Sequence, residues 1–117
     1  MISVTVSGRI DHSVLENIFR SNVQNVSYTK FNKSGNVELL SVAGSSYFLR
    51  TNDTIGFILL SLYDGSEQQI DFGRIGGGTG VFNIRLGAGD KIEQEILFEI
   101  KQAAENAGLN ILESGTE

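Results

Sequence analysis

The sequence of 117 residues contains no cysteine, no proline and no tryptophan, and it has a single histidine, His12. The absence of cysteine excludes disulfides, a thiol nucleophile and thiolate ligands for zinc or iron–sulfur clusters. A single imidazole also excludes a metal site built from several histidines of one subunit. We therefore expect no metal and no cofactor. The absence of proline suits a sheet of short hairpins, because every backbone N–H can donate to a neighbouring strand.

Basic residues are also scarce, since nine Lys and Arg stand against 14 Asp and Glu, giving a formal net charge of −5. The closest basic pair, Lys30 and Lys33, is not adjacent. Nucleic-acid binding needs a basic stripe that neutralises phosphates, so we predict no such partner. No apolar run approaches the roughly 18 residues of a membrane helix, and the first residues alternate like a strand rather than a signal peptide. We expect a cytoplasmic protein that does not bind membranes.

Apolar residues recur with strand and helix periods along the chain. Residues 2–7 alternate as a half-buried strand. A helix follows, capped by Asp11 or by a capping box of Ser13 and Glu16, and it ends near Ser21 and Asn22. Further strands are predicted over residues 25–31, 37–50, 55–63, 67–75 and 81–86. Residues 37–50 could form two strands, but we favour one strand that bends at a bulge at Gly44, and we expect Asp64-Gly65 to form a hairpin turn.

The last helix is predicted to begin at Asp90, with an apolar stripe that includes Ile92, Ile96 and Ile100. Gly108 and Leu109 are typical of a Schellman ending, and residues 110–112 could add a short edge strand. The fold predicted is α+β: an antiparallel sheet of five to six strands with two helices on one face, in the order β-α-β(4–5)-α. Residues 1–112 form the single domain, and residues 113–117 form a flexible tail.

Half of the 14 glycines fall between Gly73 and Gly89. Backbone N–H groups of such a loop can cradle an anion or small ligand, with Arg74 as the adjacent charge. The loop can equally be a hairpin whose backbone needs positive φ. It lacks the Gly-Lys-Ser of a phosphate-binding loop, and a strand rather than a helix is predicted to follow it. The candidate ligand-binding residues are Arg74, Gly76, Gly77, Gly78, Thr79 and Gly80, joined by Tyr47 and Arg50 from a possible tyrosine-ringed pocket.

Candidate catalytic groups are few. His12 lies beside Asp11 near a helix start, but the sequence indicates no nucleophile for it. Asp64, Glu67 and Asp71 around one hairpin could do acid–base chemistry, although such residues more often form a solvated face. No Gly-x-Ser-x-Gly motif is present. We predict no catalytic residue and favour a non-enzymatic role. A cleft joining Arg74, Asp71 and the glycine loop would instead favour an enzyme.

The strand over residues 55–63 is apolar on both faces, with Ile55, Phe57 and Leu59 on one side and Ile58, Leu60 and Leu62 on the other. Two helices can cover only one face. The other face must be covered by strong sheet curvature, a second subunit or a bound apolar ligand. Closed twofold assemblies are the commonest oligomers, so we predict a homodimer formed through the sheet.

The segments 47–52 and 75–80, followed by Phe82-Asn83-Ile84 and a terminal amphipathic helix, resemble a family of small uncharacterised bacterial proteins. That family shares the strand–helix–strands–helix order and a Ser- or Gly-rich motif before the last strand. The resemblance covers nearly the whole chain and implies an α+β domain of unknown function, with no catalytic residue to transfer. A sheet with a long C-terminal helix is also similar to helix-grip folds, many of which bind apolar ligands.

The sequence therefore predicts a non-enzymatic, homodimeric protein-interaction module. The alternative is a protein that binds a small apolar or anionic ligand in a cavity between the C-terminal helix and the sheet. Ile92, Ile96 and Ile100 would line that cavity on the helix side.

Overall fold

The computed structural model describes residues 1–50, 52–77 and 88–116. In chain order these residues form β1 (Ile2–Val6), α1 (His12–Asn22), β2 (Asn25–Ser34), β3 (Val37–Phe48), β4 (Asp53–Tyr63), β5 (Gln68–Gly77), α2 (Ala88–Asn106) and β6 (Ile111–Thr116). The described strands build one antiparallel sheet in the order β2-β3-β4-β5-β1-β6. The predicted α+β class is confirmed, and the strand predicted over residues 81–86 lies outside the described residues.

The hydrophobic core lies between the two helices and one face of the sheet, which we call the inner face. In β4, Ile55, Phe57 and Leu59 point to the inner face and are buried. α2 contributes Ile96 and Ile100 to the same core. Fully burying an aliphatic or phenyl side chain contributes about 1.5–3 kcal/mol, so this single layer of contacts attaches both helices to the sheet. The other core residues from the helices are Leu15, Ile18, Phe19 and Ala104.

The start of α1 and the end of α2 follow local rules. Asp11 caps α1 by accepting hydrogen bonds from the Ser13 backbone N–H, at 3.0 Å, and from the Ser13 hydroxyl. At the end of α2, Leu109 N–H donates to the Ala104 carbonyl at 2.8 Å, and Gly108 has φ of 73°. This is the predicted Schellman ending, and Leu109 packs against the core. α2 begins at Ala88, so Asp90 lies in its first turn and not at the predicted cap.

The predicted bulge at Gly44 lies on the neighbouring strand. β3 runs without interruption, and the register shifts in β2, between Val26 and Tyr28. Gly44 is opposite Val26, and a Cβ atom added to Gly44 would lie 2.9 Å from the Val26 Cα and closer still to the Asn25 carbonyl oxygen. Glycine is required here because the β2 backbone approaches closely, and not because β3 bends.

The predicted flexible tail is wrong for residues 113–116, which belong to β6. Gly115 lies opposite Ser3 and Thr116 lies opposite Ile2, so β1 holds this segment through backbone pairing. Every β6 side chain is exposed. Without buried side chains, the strand shows no apolar alternation from which it could have been recognised.

A buried glutamine fixes the connection between β1 and α1. The Gln68 side chain accepts a hydrogen bond from Ile10 N–H at 2.8 Å and donates to the Ile10 carbonyl at 3.1 Å. It also donates to the Ser61 hydroxyl at 3.0 Å. One amide therefore satisfies both backbone groups of a buried residue, which otherwise would lose water without gaining a partner.

We expect Gln68→Ala to lower the free energy of unfolding by about 2–4 kcal/mol, because both polar groups of Ile10 are left without the amide. Urea unfolding at one fixed protein concentration measures the change. Gln102→Ala, on the exposed side of α2, is the matched control and should change stability by less than about 0.5 kcal/mol. Equal stability of the two variants would contradict the role of Gln68.

The Asp11 cap also predicts an acid dependence. The Ser13 hydroxyl first, then the Ser13 N–H and Arg9, lower the pKa of Asp11 from 3.8 to about 2. The charged form stabilises the fold, so its contribution is complete above pH 3.8 and is lost as the pH falls through about 2. Asp11→Asn should be less stable than the natural chain at neutral pH and equally stable below pH about 2. The gap should stay under about 1 kcal/mol, because the Asp11 side chain is 44% exposed. Urea unfolding across pH checks this, and a pH-independent gap would contradict it.

Candidate functional site

The face of the sheet opposite the helices carries exposed apolar side chains, and we call it the outer face. Leu60 and Leu62 of β4 are 39% and 43% exposed, and Leu39 of β3 is 47% exposed. Leu39 lies directly opposite Leu62. The three leucines line a shallow groove of about 280 Å³. They follow from strand alternation, since residues next to the buried Ile55, Phe57 and Leu59 must point the other way.

The apolar patch extends beyond the leucines. Tyr28 of β2 and Val37 of β3 are also exposed large side chains, as is Ile75 of β5. Exposed large apolar side chains that are grouped on one face are often functional on a monomer. Polar side chains surround it, including Lys30 and Asn32 on β2 and Gln69 and Asp71 on β5.

The part of the outer face formed by β1 and β6 has a different character. Ser3 and Thr5 of β1, with Glu113 and Gly115 of β6, line a groove of about 430 Å³. These residues are small or polar, so water can remain there at little cost. The outer face therefore divides into an apolar part on β3 and β4 and a polar part on β1 and β6.

Arg74, the charge predicted to sit beside an anion loop, is turned toward α2. Its Nη2 donates to Asp90 Oδ1 at 2.6 Å and to Glu93 Oε1 at 3.3 Å. Its backbone N–H donates to Glu93 Oε2 at 3.0 Å. Two carboxylates against one guanidinium leave this cluster with a net negative charge, which repels anions. Anion binding at Arg74 stays a prediction.

The remaining predicted ligand residues are only partly brought together. Gly77 lies opposite Ile55, and Tyr47 lies opposite Thr54, so both are at the same end of the sheet. Gly76 is the neighbour of Gly77 in β5, and Arg50 lies exposed in the turn after β3. The Tyr47 hydroxyl, however, hydrogen-bonds Asn52 Oδ1 at 2.7 Å, within its own hairpin. Gly78, Thr79 and Gly80 lie outside the described residues.

His12 is held in a structural contact. Its ring stacks on Phe31 of β2, with ring centroids 3.7 Å apart and an interplanar angle of 12°. The nearest carboxylate, Asp11, lies 4.0 Å from its Nδ1 and is committed to capping α1 and to Arg9. This arrangement orients the helix against the edge of the sheet. Among the described residues, no nucleophile is hydrogen-bonded to the His12 Nδ1.

Asp64 and Asp71, two of the carboxylates predicted around one hairpin, have different surroundings. Asp64 accepts hydrogen bonds from the N–H groups of Ser66 and Glu67, at 2.9 and 2.8 Å, and these bonds, Glu67 first, lower the pKa of Asp64. Asp71 lies on the outer face. Across the described ranges, no group of three His, Asp or Glu side chains is placed to hold a metal ion.

Sequence reasoning missed the buried Glu38. It occupies an inner-face position of β3 and accepts two hydrogen bonds from Arg9 Nε, at 2.9 and 2.8 Å. Lys33 lies 4.0 Å from the same carboxylate. The available signal was its place in the alternation, between Val37 and Leu39, which points Glu38 toward the helices. This ion pair attaches the loop after β1 to β3.

The predicted ligand cavity would lie beneath α2. Ile96 and Ile100 are instead fully buried with Phe57 and Phe72 in the core, and Ile92 packs at its margin. Ligand binding at this position stays a prediction.

Comparisons of the chain with protein-family models, curated proteins and solved structures found no match. The resemblance to small bacterial proteins therefore also stays a prediction. Neither described helix is long and apolar enough to cross a membrane.

The Arg74 cluster makes a prediction about stability. We expect Glu93→Gln to lower the free energy of unfolding by about 1–3 kcal/mol, because Glu93 is 7% exposed and accepts bonds from both the backbone and side chain of Arg74. Asp90→Asn should cost less than about 1 kcal/mol, because the Asp90 side chain is 57% exposed. Urea unfolding compares the two variants. A larger effect at Asp90 would show that the exposed pair, and not Glu93, holds Arg74.

Proposed function

We propose that the protein is a non-enzymatic interaction module that forms a homodimer through the outer face of its sheet. The observation that carries the proposal is the exposure of Leu39, Leu60 and Leu62 on the central strands. The groups best suited to chemistry, namely His12, Glu38 and Arg74, are instead engaged in contacts that hold the fold together.

The size of the patch determines how much of the sheet must take part. Burying the exposed part of one leucine is worth about 1 kcal/mol. Association costs at least about 4 kcal/mol in lost translational and rotational freedom. Three leucines on each copy exceed that cost only slightly, so a stable complex also has to bury Tyr28 and Val37. The interface would then extend from β4 across β3 to the edge strand β2.

A second copy is the partner that fits this surface most simply. Two copies of one apolar face bury each other without requiring any other molecule, and twofold dimers are the commonest closed assemblies. The net charge of −5 repels a second copy at long range. At physiological ionic strength this repulsion is screened beyond about 8 Å, so contacts at the interface dominate.

Sedimentation velocity at micromolar concentration tests the proposal. We expect the natural chain to sediment as a dimer and Leu60→Asp as a monomer, because a charge would be buried at the centre of the interface. Leu49→Asp is the matched control, since Leu49 is 83% exposed in the turn after β3 and lies off the outer face. It should remain dimeric.

A monomeric natural chain would overturn the proposal. If native mass spectrometry then also found a retained small molecule, the ligand-binding alternative would replace it. Circular dichroism of Leu60→Asp distinguishes loss of the dimer from loss of the fold.

A further inference from the structure

The strand register arranges the outer-face residues in straight rows across the sheet. In one row, Lys30 of β2 lies opposite Ser41 of β3, Ser41 opposite Leu60 of β4, and Leu60 opposite Asp71 of β5. Lys30 and Asp71 are thus three strand spacings apart, about 14 Å. That distance is too long for an ion pair within one copy. Opposite charges therefore bracket the apolar patch on its two sides.

The next row repeats the pattern. Asn32 lies opposite Leu39, Leu39 opposite Leu62, and Leu62 opposite Gln69. This row is symmetric about the line midway between β3 and β4. β2 and β5 each contribute an amide side chain, and β3 and β4 each contribute a leucine. In the first row, Lys30 and Asp71 lie on opposite sides of the same line, equally far from it, and carry opposite charges.

We propose that two copies pack outer face to outer face about a twofold axis that is parallel to the strands and midway between β3 and β4. The inference rests on the proposed function and specifies its geometry. The rotation brings β2 over β5 of the partner and β3 over β4 of the partner. Lys30 then faces Asp71 of the partner subunit, and Leu39 faces Leu62 of the partner subunit. Each copy contributes one member to each of two equivalent ion pairs.

A third row agrees in size. Tyr28 lies opposite Ala43, Ala43 opposite Ile58, and Ile58 opposite Gly73. Under the same rotation the small Ala43 faces Ile58 of the partner subunit. Close packing between sheets favours such alternation of large and small side chains.

The charges discriminate against one alternative arrangement. A twofold axis perpendicular to the strands and passing through the row of Lys30 would place β2 over β2 of the partner and bring Lys30 toward Lys30 of the partner subunit. Like charges in contact disfavour that arrangement. Neither charge forms an ion pair within its own copy: among the described residues the Lys30 side chain makes no hydrogen bond or ion pair, and the Asp71 carboxylate accepts only 3.3 Å contacts from the Gln69 amide.

The polar part of the outer face fits the same axis. β1 and β6 lie beyond β5 and extend past the edge of the partner's sheet after the rotation. Ser3 and Thr5, and the groove that they line with β6, therefore stay in water. The boundary between the apolar and polar parts of the face coincides with the boundary of the proposed interface.

Two charge reversals test the geometry. Lys30→Asp places a carboxylate against Asp71 of the partner subunit, and Asp71→Lys places an ammonium group against Lys30 of the partner subunit. We expect each variant alone to dimerise at least ~10-fold more weakly than the natural chain, because both ion pairs become repulsive. A mixture of the two variants should form a heterodimer with affinity within ~10-fold of the natural homodimer, because both contacts become attractive. The chain carrying both reversals should likewise form a homodimer.

Sedimentation velocity of each variant alone and of the equimolar mixture supplies the measurement, with native mass spectrometry identifying the heterodimer. Lys101→Asp, an exposed charge reversal on α2, is the matched control and should dimerise like the natural chain. A folding defect in either variant would persist in the mixture. Recovery of dimerisation on mixing therefore shows that the two altered surfaces are complementary. If both reversals dimerise normally, or if mixing rescues nothing, the proposed axis is wrong. In that case Leu60→Asp still decides whether the outer face is the interface, so the two proposals fail separately.

Discussion

Alternation of side chains along each strand divides the apolar residues of β4 between the two faces of the sheet. Successive side chains of β4 point to opposite sides of the sheet, and the two helices pack on the inner face alone. A strand rich in Ile, Phe and Leu can satisfy its inner positions in this way, as Phe57 and Leu59 do. Its outer positions, Leu60 and Leu62, have no element of the described chain to cover them. The fold thus buries the inner apolar residues of β4 in one core and leaves its outer leucines exposed.

Three polar contacts on the inner face join separate elements around that core. Gln68 binds both backbone groups of Ile10, Glu38 binds Arg9, and Glu93 holds Arg74 beneath α2. Each contact joins elements far apart in the sequence and satisfies a group that would be costly to bury alone. These charged and amide side chains therefore support the fold on the inner face of the sheet. The outer face, by contrast, holds an apolar patch and two charges without strong contacts.

The predictable parts of this fold were the local ones. The Asp11 cap and the Gly108–Leu109 ending depend on residues within one helical turn, so the sequence displays them directly. The apolar outer face was also foreseen, because period-two alternation is local. Three features could not be foreseen in this way: β6 is held by backbone pairing alone, the β2 bulge lies opposite and not at Gly44, and Arg74 turns toward Glu93. All three depend on which segments become neighbours, and no local pattern encodes that.

The edges of the sheet strengthen the argument for pairing through its face. A sheet can also join a second copy edge to edge, by adding a strand to a free edge. The edge strand β2 carries Lys30 and Lys33 and contains the bulge between Val26 and Tyr28, features that disfavour such pairing. The opposite edge, β6, is six residues long and also shifts register against β1. Both edges are therefore poor templates, and the broad apolar face between them remains as the surface with a strong reason to leave water.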